Sequence, residues 1–388
     1  MVQELKSKIA VIGGGPAGCF CAYLLQNNFE VTIFEAKSPL TTILPTGGGR
    51  CNLAHAEYDF RELASNYPRG EKFLYSVFSK FGTADTIDFF ENIGVPTYVQ
   101  DDLRIFPLSN SAVDVRNKFL DSLKLVKIIE QRVDKIEENV SGFTVVCGNK
   151  EHKFDKVVIS IGGHSGFSIA ESLGHRIIPP RPSLCGLKSK EDFVDLSGVS
   201  FNSAKVSCQG RNYSGDFMFT HTGVTGPVIY KISSIMAREK FPYTIFIDFL
   251  GDIDFDFQGL LNENPHKSVK NLLSEYLPKS FAEFVLSNLG INSDEKCHRI
   301  NGKLRDKILD KIKRFEITAI GTRPDGEVVT SGGVDLKEIE AKTMESKLIS
   351  GVFFCGEVLD IDGFCGGFNL QNCWSTGYVA AQGVMQSL

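Results

Sequence analysis

Short apolar runs and small-residue segments alternate over the first 36 residues. Lys8–Ile12 has the length and continuous hydrophobicity of a strand that is buried on both faces of a parallel sheet. Ala17–Leu25 is a segment of small residues with helical character, and Val31–Phe34 is a second buried strand. The turn before the helix consists of glycine and proline, so the order predicts a strand–helix–strand unit.

The pattern of apolar and polar positions changes twice in the rest of the chain. Lys156–Gly163 and Val352–Gly356 are apolar runs that end in glycine, and Leu370–Met385 closes the chain as a helix. Between them, residues 184–250 alternate apolar and polar positions, which is typical of antiparallel strands, and residues 265–313 are helical and polar. We therefore predict an α/β protein in which an antiparallel β domain and a small helical subdomain are inserted into a Rossmann-like domain. The predicted bounds are residues 1–186 and 330–388 for the Rossmann-like domain, 187–255 and 312–329 for the β domain, and 256–311 for the helical subdomain.

Three glycines after the first strand form a dinucleotide-binding fingerprint. Gly13 permits a tight turn, Gly15 lets the backbone approach a pyrophosphate, and Gly18 lets helix and strand pack closely. Glu35 ends the second strand, where an acidic residue suits a ribose hydroxyl. The alternative is a glycine-rich turn without a ligand, but the full strand–helix–strand context favours a dinucleotide.

Three further features favour FAD over NAD. Pro16 and the small residues after it keep the start of the helix tight. The loop Thr46–Asn52 contains three adjacent glycines, whose N–H groups suit phosphates or a flavin edge. Gly356 and Glu357 end a late strand and are followed by the glycine-rich segment Gly363–Asn369, which returns the end of the chain to the same crevice.

Composition and net charge limit the classes of molecule that we expect the protein to bind. The chain of 388 residues carries 42 Lys and Arg against 47 Asp and Glu, a net charge of −5, so it lacks the broad basic field that attracts nucleic acid or anionic lipid. We read the basic segment Lys303–Arg314 as a solvated face, because Asp306 and Asp310 interrupt it. No apolar run is long enough for a membrane span, and no leader is visible, so a cytoplasmic protein with a small-molecule substrate is expected. Nothing in the sequence indicates an oligomeric state.

Three motifs resemble a known family. They are Thr46–Asn52 (TGGGRCN), Phe219–Pro227 (FTHTGVTGP) and Gly356–Gln371 (GEVLDIDGFCGGFNLQ). In this order they are similar to the YhiN/BaiN-like family of FAD-binding oxidoreductases, which includes aminoacetone oxidases and bile-acid ring reductases. Two stretches depart from the family pattern: the loop after Gly163 is short, and Leu40–Pro45 lacks the expected lysines. The resemblance therefore does not identify the substrate of this protein.

The resemblance also implies positions around the cofactor. Gly15, Ala17 and Glu35 would hold the ADP half, and Val133 would meet the adenine through its backbone. The remaining predicted contacts with the ribityl chain and the flavin ring are Gly48, Gly49, Arg50, Cys51, Asn52, Gly162, Gly163, Gly356, Glu357, Asp360, Gly367, Phe368, Asn369 and Leu370. Leu370 begins a helix whose N–H groups suit an anionic reduced flavin.

Three side chains are candidates for chemistry. His221 lies in a glycine-rich loop of the inserted domain and could donate a proton during hydride transfer, although a histidine without a visible partner more often only holds its loop by a hydrogen bond. Cys51 has no cysteine partner at redox spacing, so a buried structural thiol is the favoured interpretation. Arg50 suits a phosphate, a substrate carboxylate or a structural salt bridge.

We expect an FAD-dependent oxidoreductase. The first hypothesis is NAD(P)H-dependent reduction of a small organic acceptor such as an unsaturated carbonyl. No second fingerprint for a separate nicotinamide domain is present, so the donor would enter the flavin crevice. The alternatives are an amine or aminoketone oxidase that uses oxygen, and a flavin-binding sensor without turnover. A Rossmann protein that binds NAD alone would be colourless.

Overall fold

The computed structural model describes residues 6–162, 164–323 and 329–387. The strands in this part of the chain are β1 (Lys8–Ile12), β2 (Glu30–Phe34), β3 (Ala54–His55), β4 (Thr97–Val99), β5 (Arg104–Pro107), β6 (Lys127–Ile129), β7 (Lys135–Asn139), β8 (Gly142–Cys147), β9 (Lys150–Phe154), β10 (Lys156–Ile159), β11 (Ile177–Ser183), β12 (Leu187–Ser189), β13 (Ser200–Cys208), β14 (Arg211–Thr220), β15 (Gly223–Thr225), β16 (Tyr243–Asp248), β17 (Phe315–Thr322), β18 (Val329–Val334) and β19 (Val352–Phe354).

The helices follow the same order along the chain. They are α1 (Pro16–Leu25), α2 (Phe60–Ser65), α3 (Glu71–Phe78), α4 (Thr83–Asn92), α5 (Ala112–Ser122), α6 (His164–Ser172), α7 (Pro227–Ile235), α8 (Phe257–Glu263), α9 (Val269–Leu273), α10 (Lys279–Asn288), α11 (Gly302–Lys313) and α12 (Phe368–Gln386). The chain divides into two units: the first is Met1–Arg181 with Thr330–Leu388, and the second is Pro182–Val329.

A parallel sheet with strand order β19-β10-β1-β2-β6 organises the first unit. In β1 and β2, four consecutive residues of five are buried, because helices or other strands cover both faces of such a sheet. The antiparallel sheets β3-β5-β4 and β7-β8-β9 complete the strands that belong entirely to this unit.

The helices α1 and α12 pack against each other along small residues. A Cβ atom added to Gly377 would lie 2.7 Å from the carbonyl oxygen of Ala17, so only glycine allows this approach. Trp374 on α12 is fully buried, contacts Phe20 and Phe90 edge to face, and donates its indole N–H to Leu53 O at 2.9 Å. The contacts join the end of the chain to its beginning.

The second unit is built on a closed barrel of six strands, β12-β15-β14-β13-β16-β17. Phenylalanine rings fill its interior, among them Phe201, Phe217, Phe219 and Phe249. The helices α8 to α11 contribute side chains to this same core. In α11, for example, Ile308 and Ile312 are completely buried in it.

The predicted fold class is confirmed, with a Rossmann-like domain, an antiparallel β region and added helices. The predicted strand Lys8–Ile12 has the same bounds in the structure, and α1 begins one residue before the predicted helix. Helix α7 was missed, because it interrupts a region whose alternating pattern predicts strands. The barrel closure was also not foreseen, since it depends on β12 pairing with both β15 and β17.

Candidate cofactor site at the carboxyl edge of the parallel sheet

The chain order of the parallel sheet reverses at β1. From β1 the chain proceeds to β2 and β6 on one side, and β10 and β19 lie on the other. Loops that leave the carboxyl ends of strands on the two sides of such a point diverge and open a crevice. Gly13, Glu35, Gly162 and Gly356 follow β1, β2, β10 and β19 and therefore lie at this one edge.

The glycine fingerprint has three different steric environments. Gly13 has φ +110°, and a Cβ atom on Gly18 would lie 2.1 Å from Gly13 O, so both residues are fixed by the protein's own packing. Gly15 differs, because a Cβ atom there would have no atom within 4 Å. It precedes the amino end of α1, where Pro16 occupies the first turn. The open space thus lies at a helix end that favours anions.

Glu35 and Val133 border one cavity beside this turn. The Glu35 carboxylate accepts hydrogen bonds from the N–H groups of Gly14 at 2.7 Å and Lys37 at 3.0 Å. The cavity has a volume of about 240 Å³ and is also lined by Gly13 and Arg132. The structure therefore brings together the residues predicted for the adenosine end.

The loop Thr46–Asn52 is built largely from left-handed backbone. Gly47, Gly48 and Gly49 have φ between +58° and +85°, and Cys51 has φ +66°. Added Cβ atoms on Gly48 and Gly49 would meet nothing within 4 Å. These two glycines thus leave backbone exposed to open space, as the fingerprint does at Gly15.

Arg50 projects from this loop without an anionic partner. Its Nε donates to Gly47 O at 3.2 Å, and its guanidinium lies 4.1 Å from the centre of the Phe106 ring. Among the described residues, no carboxylate lies within 4.0 Å of Arg50, so the structural salt bridge considered above is not formed there. The remaining guanidinium nitrogens suit a phosphate or carboxylate.

Cys51 and Asn52 have buried side chains inside the first unit. The Cys51 side chain is completely buried, as predicted, and this burial raises the pKa of its thiol to about 12. The Asn52 amide, oriented by its hydrogen bonds, donates to Ala54 O at 3.0 Å and accepts from the Gly367 N–H at 2.9 Å. Asn52 thereby links the loop to the start of α12.

The turn before α12 is held by side chains from distant segments. Tyr67 donates its hydroxyl to Phe368 O at 2.5 Å, and Asn369 exchanges hydrogen bonds with the backbone of Gly363 at 2.8 and 3.0 Å. Gly367 has φ +98°, and a Cβ atom there would lie 2.3 Å from Ala54 O. The first N–H groups of α12, up to that of Leu370, have no carbonyl partner within the helix, as at the start of any α-helix.

His55 was missed by sequence reasoning. Its ring stacks on Phe368 with 4.5 Å between ring centres, and Nδ1 lies 3.1 Å from Gly366 O. Because a carbonyl oxygen only accepts, Nδ1 carries the proton in this contact. Position 55 carries no local signal for this role, since Gly366 and Phe368, which its ring contacts, lie more than 300 positions away in the chain.

Two acidic residues, Glu357 and Asp362, lie at the β19 end of the crevice. Asp362 is completely buried and forms a two-pronged ion pair with Arg69. Glu357 keeps a solvent-exposed side chain, but protein atoms crowd its carboxyl group and raise its pKa, and the Asp362 carboxylate adds to this rise. A Cβ atom on Gly162 would lie 3.2 Å from Glu357 Cβ, so the ends of β10 and β19 meet here.

Three predicted residues need separate mention. Asp360 is buried, and its N–H donates to Val334 O at 3.1 Å. Gly163 lies outside the described residues. His221 belongs to the second unit, where it is exposed in the turn between β14 and β15. Its predicted role as a proton donor stays a prediction.

Comparison with known proteins supplies the family. The model of the HI0933-like protein Rossmann domain matches residues 7–383. The chain belongs to this family. The resemblance found in the sequence motifs is thus confirmed over nearly the full length.

Two relatives align with nearly the whole chain. A ribosomal RNA dihydrouridine synthase of Escherichia coli is 28% identical over 393 residues, covering 96% of each chain. A 3-dehydro-bile acid delta(4,6)-reductase of Clostridium scindens is 28% identical over 408 residues, covering 97% of this chain and 98% of the relative.

Solved structures agree on the fold. The E. coli quinol fumarate reductase subunit FrdA aligns with a TM-score of 0.50 at 13% identity, over 98% of this chain and 70% of that one. The open flavocytochrome c3 fumarate reductase aligns with a TM-score of 0.50 at 15% identity, over 100% and 79%. With the family match, the chain is an FAD-dependent oxidoreductase, as predicted.

The residues of the crevice fit FAD. Gly15, Gly48 and Gly49 leave open space where larger side chains would fill it. Glu35 and the cavity beside Val133 suit the adenosine, and the amino ends of α1 and α12 suit negative charge. Among the described residues, no group of three or more His, Cys, Asp or Glu is placed to hold a metal ion, and no helix is long and apolar enough to cross a membrane.

Proposed function

We propose that this protein uses NAD(P)H to reduce a carbon–carbon double bond conjugated to a carbonyl group. The observation that carries the proposal is its full-length similarity to two relatives whose names share this chemistry. A delta(4,6)-reductase of a 3-dehydro bile acid reduces ring double bonds conjugated to a ketone. Formation of dihydrouridine saturates the uracil ring double bond beside a ring carbonyl.

The residues of this chain contribute binding and electrostatics. FAD, when bound, would supply the two-electron hydride chemistry that links a nicotinamide donor to an acceptor. The amino end of α1 and the side chain of Arg50 would hold the negative charge of the pyrophosphate. The first N–H groups of α12, from Phe368 to Leu370, would favour negative charge on the pyrimidine ring of a bound flavin. The side-chain contacts of His55 and Tyr67 keep those groups in place.

The acceptor of first choice is a small unsaturated carbonyl compound. A uracil ring in RNA is the second candidate, and the names of the E. coli relative and of a Haemophilus influenzae relative, 29% identical over 399 residues, favour it. Both acceptors need a proton after hydride addition, and His221 is proposed as its donor. His221→Gln should then slow acceptor reduction and leave flavin reduction by NAD(P)H unchanged. Equal slowing of both half-reactions would contradict this role.

Anaerobic mixing tests the proposed reaction. Purified holoenzyme is mixed with NADH, NADPH or aminoacetone, and the flavin absorbance is followed on a timescale of seconds. We expect bleaching by a nicotinamide, then recovery of colour on adding an enone or a uridine-containing RNA. Bleaching by aminoacetone and by neither nicotinamide would replace the proposal with an amine oxidase. No bleaching by any donor would favour a flavin-binding protein without turnover.

A further inference from the structure

Positive charge is concentrated in one exposed segment of the second unit. Residues 296–314 carry eight Lys or Arg against two Asp, a net charge of +6, whereas the rest of the chain carries −11. The cations are Lys296, Arg299, Lys303, Arg305, Lys307, Lys311, Lys313 and Arg314. The net charge of −5 for the whole chain therefore conceals a strongly basic region. We infer that the lysine face of α11 is a docking surface for the phosphate backbone of RNA.

The lysines form a line along one side of α11. Lys303, Lys307 and Lys311 are spaced four residues apart, which places them on one face at intervals of about 6 Å along the axis. All three are exposed and border a single open groove of about 680 Å³ next to Leu289. Flexible, fully hydrated ammonium groups in a row match a repeating series of phosphates.

The acidic residues of α11 weaken this face less than the sequence indicates. Asp306 accepts hydrogen bonds from Nε and Nη2 of Arg305, at 2.9 and 2.7 Å, so its charge is already balanced. Asp310 borders the same groove, but no carboxylate of the described residues lies within 4.0 Å of any of the three lysine ammonium groups. The lysines thus keep their charge available to an external anion.

A membrane surface or an acidic protein fits this face less well. The apolar side of α11 is used internally, since Ile308 and Ile312 are completely buried in the core of the second unit. A helix that lies on a membrane needs an apolar face to insert, and a stable protein interface has an apolar centre. Phosphate binding by lysine requires neither. RNA is chosen over DNA because the second candidate acceptor is a uracil ring in RNA, and to that extent the inference rests on the proposed function.

The test measures binding without turnover. Holoenzyme is titrated into a fluorescein-labelled RNA hairpin with a uridine-rich loop, and anisotropy is recorded over a range of salt concentrations. For Lys303→Gln/Lys307→Gln/Lys311→Gln, we expect affinity at low salt to fall at least about tenfold and the salt slope to decrease by about 2–3, since each lost phosphate contact removes nearly one. The matched control, Lys190→Gln/Arg211→Gln/Lys240→Gln, removes three exposed cations elsewhere in the same unit and should bind as the wild type. The Lys→Arg triple variant should also bind normally.

Several outcomes would overturn the inference. They are no RNA binding by the wild type at low salt, an equal loss in the control variant, equal affinity for a DNA hairpin of the same sequence, and binding to anionic lipid vesicles in place of RNA. Flavin bleaching by NAD(P)H, measured on the same preparations, separates this inference from the proposed reaction. RNA binding without bleaching would refute the reaction alone, and bleaching without RNA binding would refute the docking surface alone.

Discussion

Two glycine-rich turns lead into the two helices that begin at the crevice, and they are held in different ways. The first turn, Gly13–Gly18, is fixed mainly by backbone packing: added Cβ atoms on Gly13 and Gly18 would collide with backbone atoms at 2.9 and 2.1 Å. Hydrogen bonds of the Glu35 and Ser160 side chains with Gly14 N–H and Gly13 O add to this packing. The second turn, Gly363–Gly367, leads into α12. Gly367 also packs closely on backbone, at Ala54 O, but several polar side chains hold this turn in addition. Those side chains come from Asn52, His55, Tyr67 and Asn369, with the buried pair of Arg69 and Asp362 beside them.

The difference separates two uses of glycine. Where packing fixes a glycine, substitution damages the fold before any ligand is considered. Where a glycine faces open space, as Gly15 does, substitution leaves the fold and removes room for a ligand. The second turn adds a third case, in which the backbone is positioned by polar groups that can be removed one at a time.

The largest effect is expected at Gly18. In Gly18→Leu the new Cβ atom would lie 2.1 Å from Gly13 O and 2.4 Å from Ser160 Oγ, and the backbone oxygen cannot move away. Because folded domains are stable by only about 5–15 kcal/mol, we expect the first unit not to fold. Circular dichroism and thermal unfolding check this. Gly302→Leu, at the exposed start of α11, is the control and should fold. A cooperative transition at the wild-type temperature in Gly18→Leu would contradict the packing argument.

The second turn should be most sensitive at Arg69. Arg69→Met leaves the Asp362 carboxylate buried without its cation, which costs about 3–5 kcal/mol. We expect a lower free energy of unfolding in urea, with little dependence on added FAD. Arg104→Met breaks an exposed pair with Asp102 and should cost less than about 1 kcal/mol. Equal stability of the two variants would show that the buried pair does not hold the second turn.

The first turn could be predicted from the sequence in detail and the second could not. Gly13, Gly15 and Gly18 lie within six positions, so the steric requirement is written in one local pattern. The glycines of the second turn were expected at the cofactor. Their supports His55, Tyr67 and Arg69 were not, because each pairs with a residue about 300 positions away. No local pattern records such a pairing.

The second unit shows the same limit. Alternating hydrophobicity predicts antiparallel strands there, and the structure confirms them. Helix α7 carried a start signal, since Pro227 follows Gly226, but the strand pattern around it prevailed. Alternation also cannot show that β12 closes a barrel, because closure depends on which strands pair and in which register.

Substitution of Gly15 tests whether open space at the first turn belongs to the cofactor. Gly15 has φ −76°, which valine also adopts, so Gly15→Val should fold normally. Its side chain would fill the space at the amino end of α1, and we expect FAD affinity to fall by at least about 100-fold, or about 2.7 kcal/mol. Flavin absorbance per protein and titration of flavin-free protein measure this. Gly302→Val is the control. Unchanged flavin content in a folded Gly15→Val protein would refute the placement of the pyrophosphate.

His55 gives a smaller and more selective effect at the second turn. His55→Phe keeps a ring on Phe368 but loses the hydrogen bond to Gly366 O. A net loss of about 1 kcal/mol for that bond corresponds to roughly fivefold weaker FAD binding. We also expect a shift in the flavin reduction potential, because the first N–H groups of α12 would be less firmly placed. His55→Asn retains an amide donor and should recover part of the affinity. A loss of stability without any change in affinity or potential would reduce His55 to a structural role.

The smallest expected effect concerns the charge of Glu357 beside the second turn. Crowding of its carboxyl group by protein atoms, together with the nearby Asp362 carboxylate, raises the pKa of Glu357 in the folded protein. Between the ordinary glutamate value of 4.5 and this raised value, the folded state binds more protons than the unfolded state, so stability falls as pH rises through that interval. Glu357→Gln has no such proton to lose. The flavin-free variant should therefore gain stability relative to the wild type as pH increases from the acidic range towards neutrality.

Thermal unfolding of the two proteins across that pH range measures this difference. Glu151→Gln, an exposed substitution on β9, controls for the loss of one carboxylate at the surface. Parallel curves for the wild type and Glu357→Gln would show that Asp362 and its surroundings do not disfavour a second negative charge. A gain confined to Glu357→Gln would mean that the second turn carries an electrostatic cost in the flavin-free protein. At the first turn, by contrast, the Glu35 carboxylate accepts hydrogen bonds from the N–H groups of Gly14 and Lys37, so the carboxylate beside that turn is held by backbone donors.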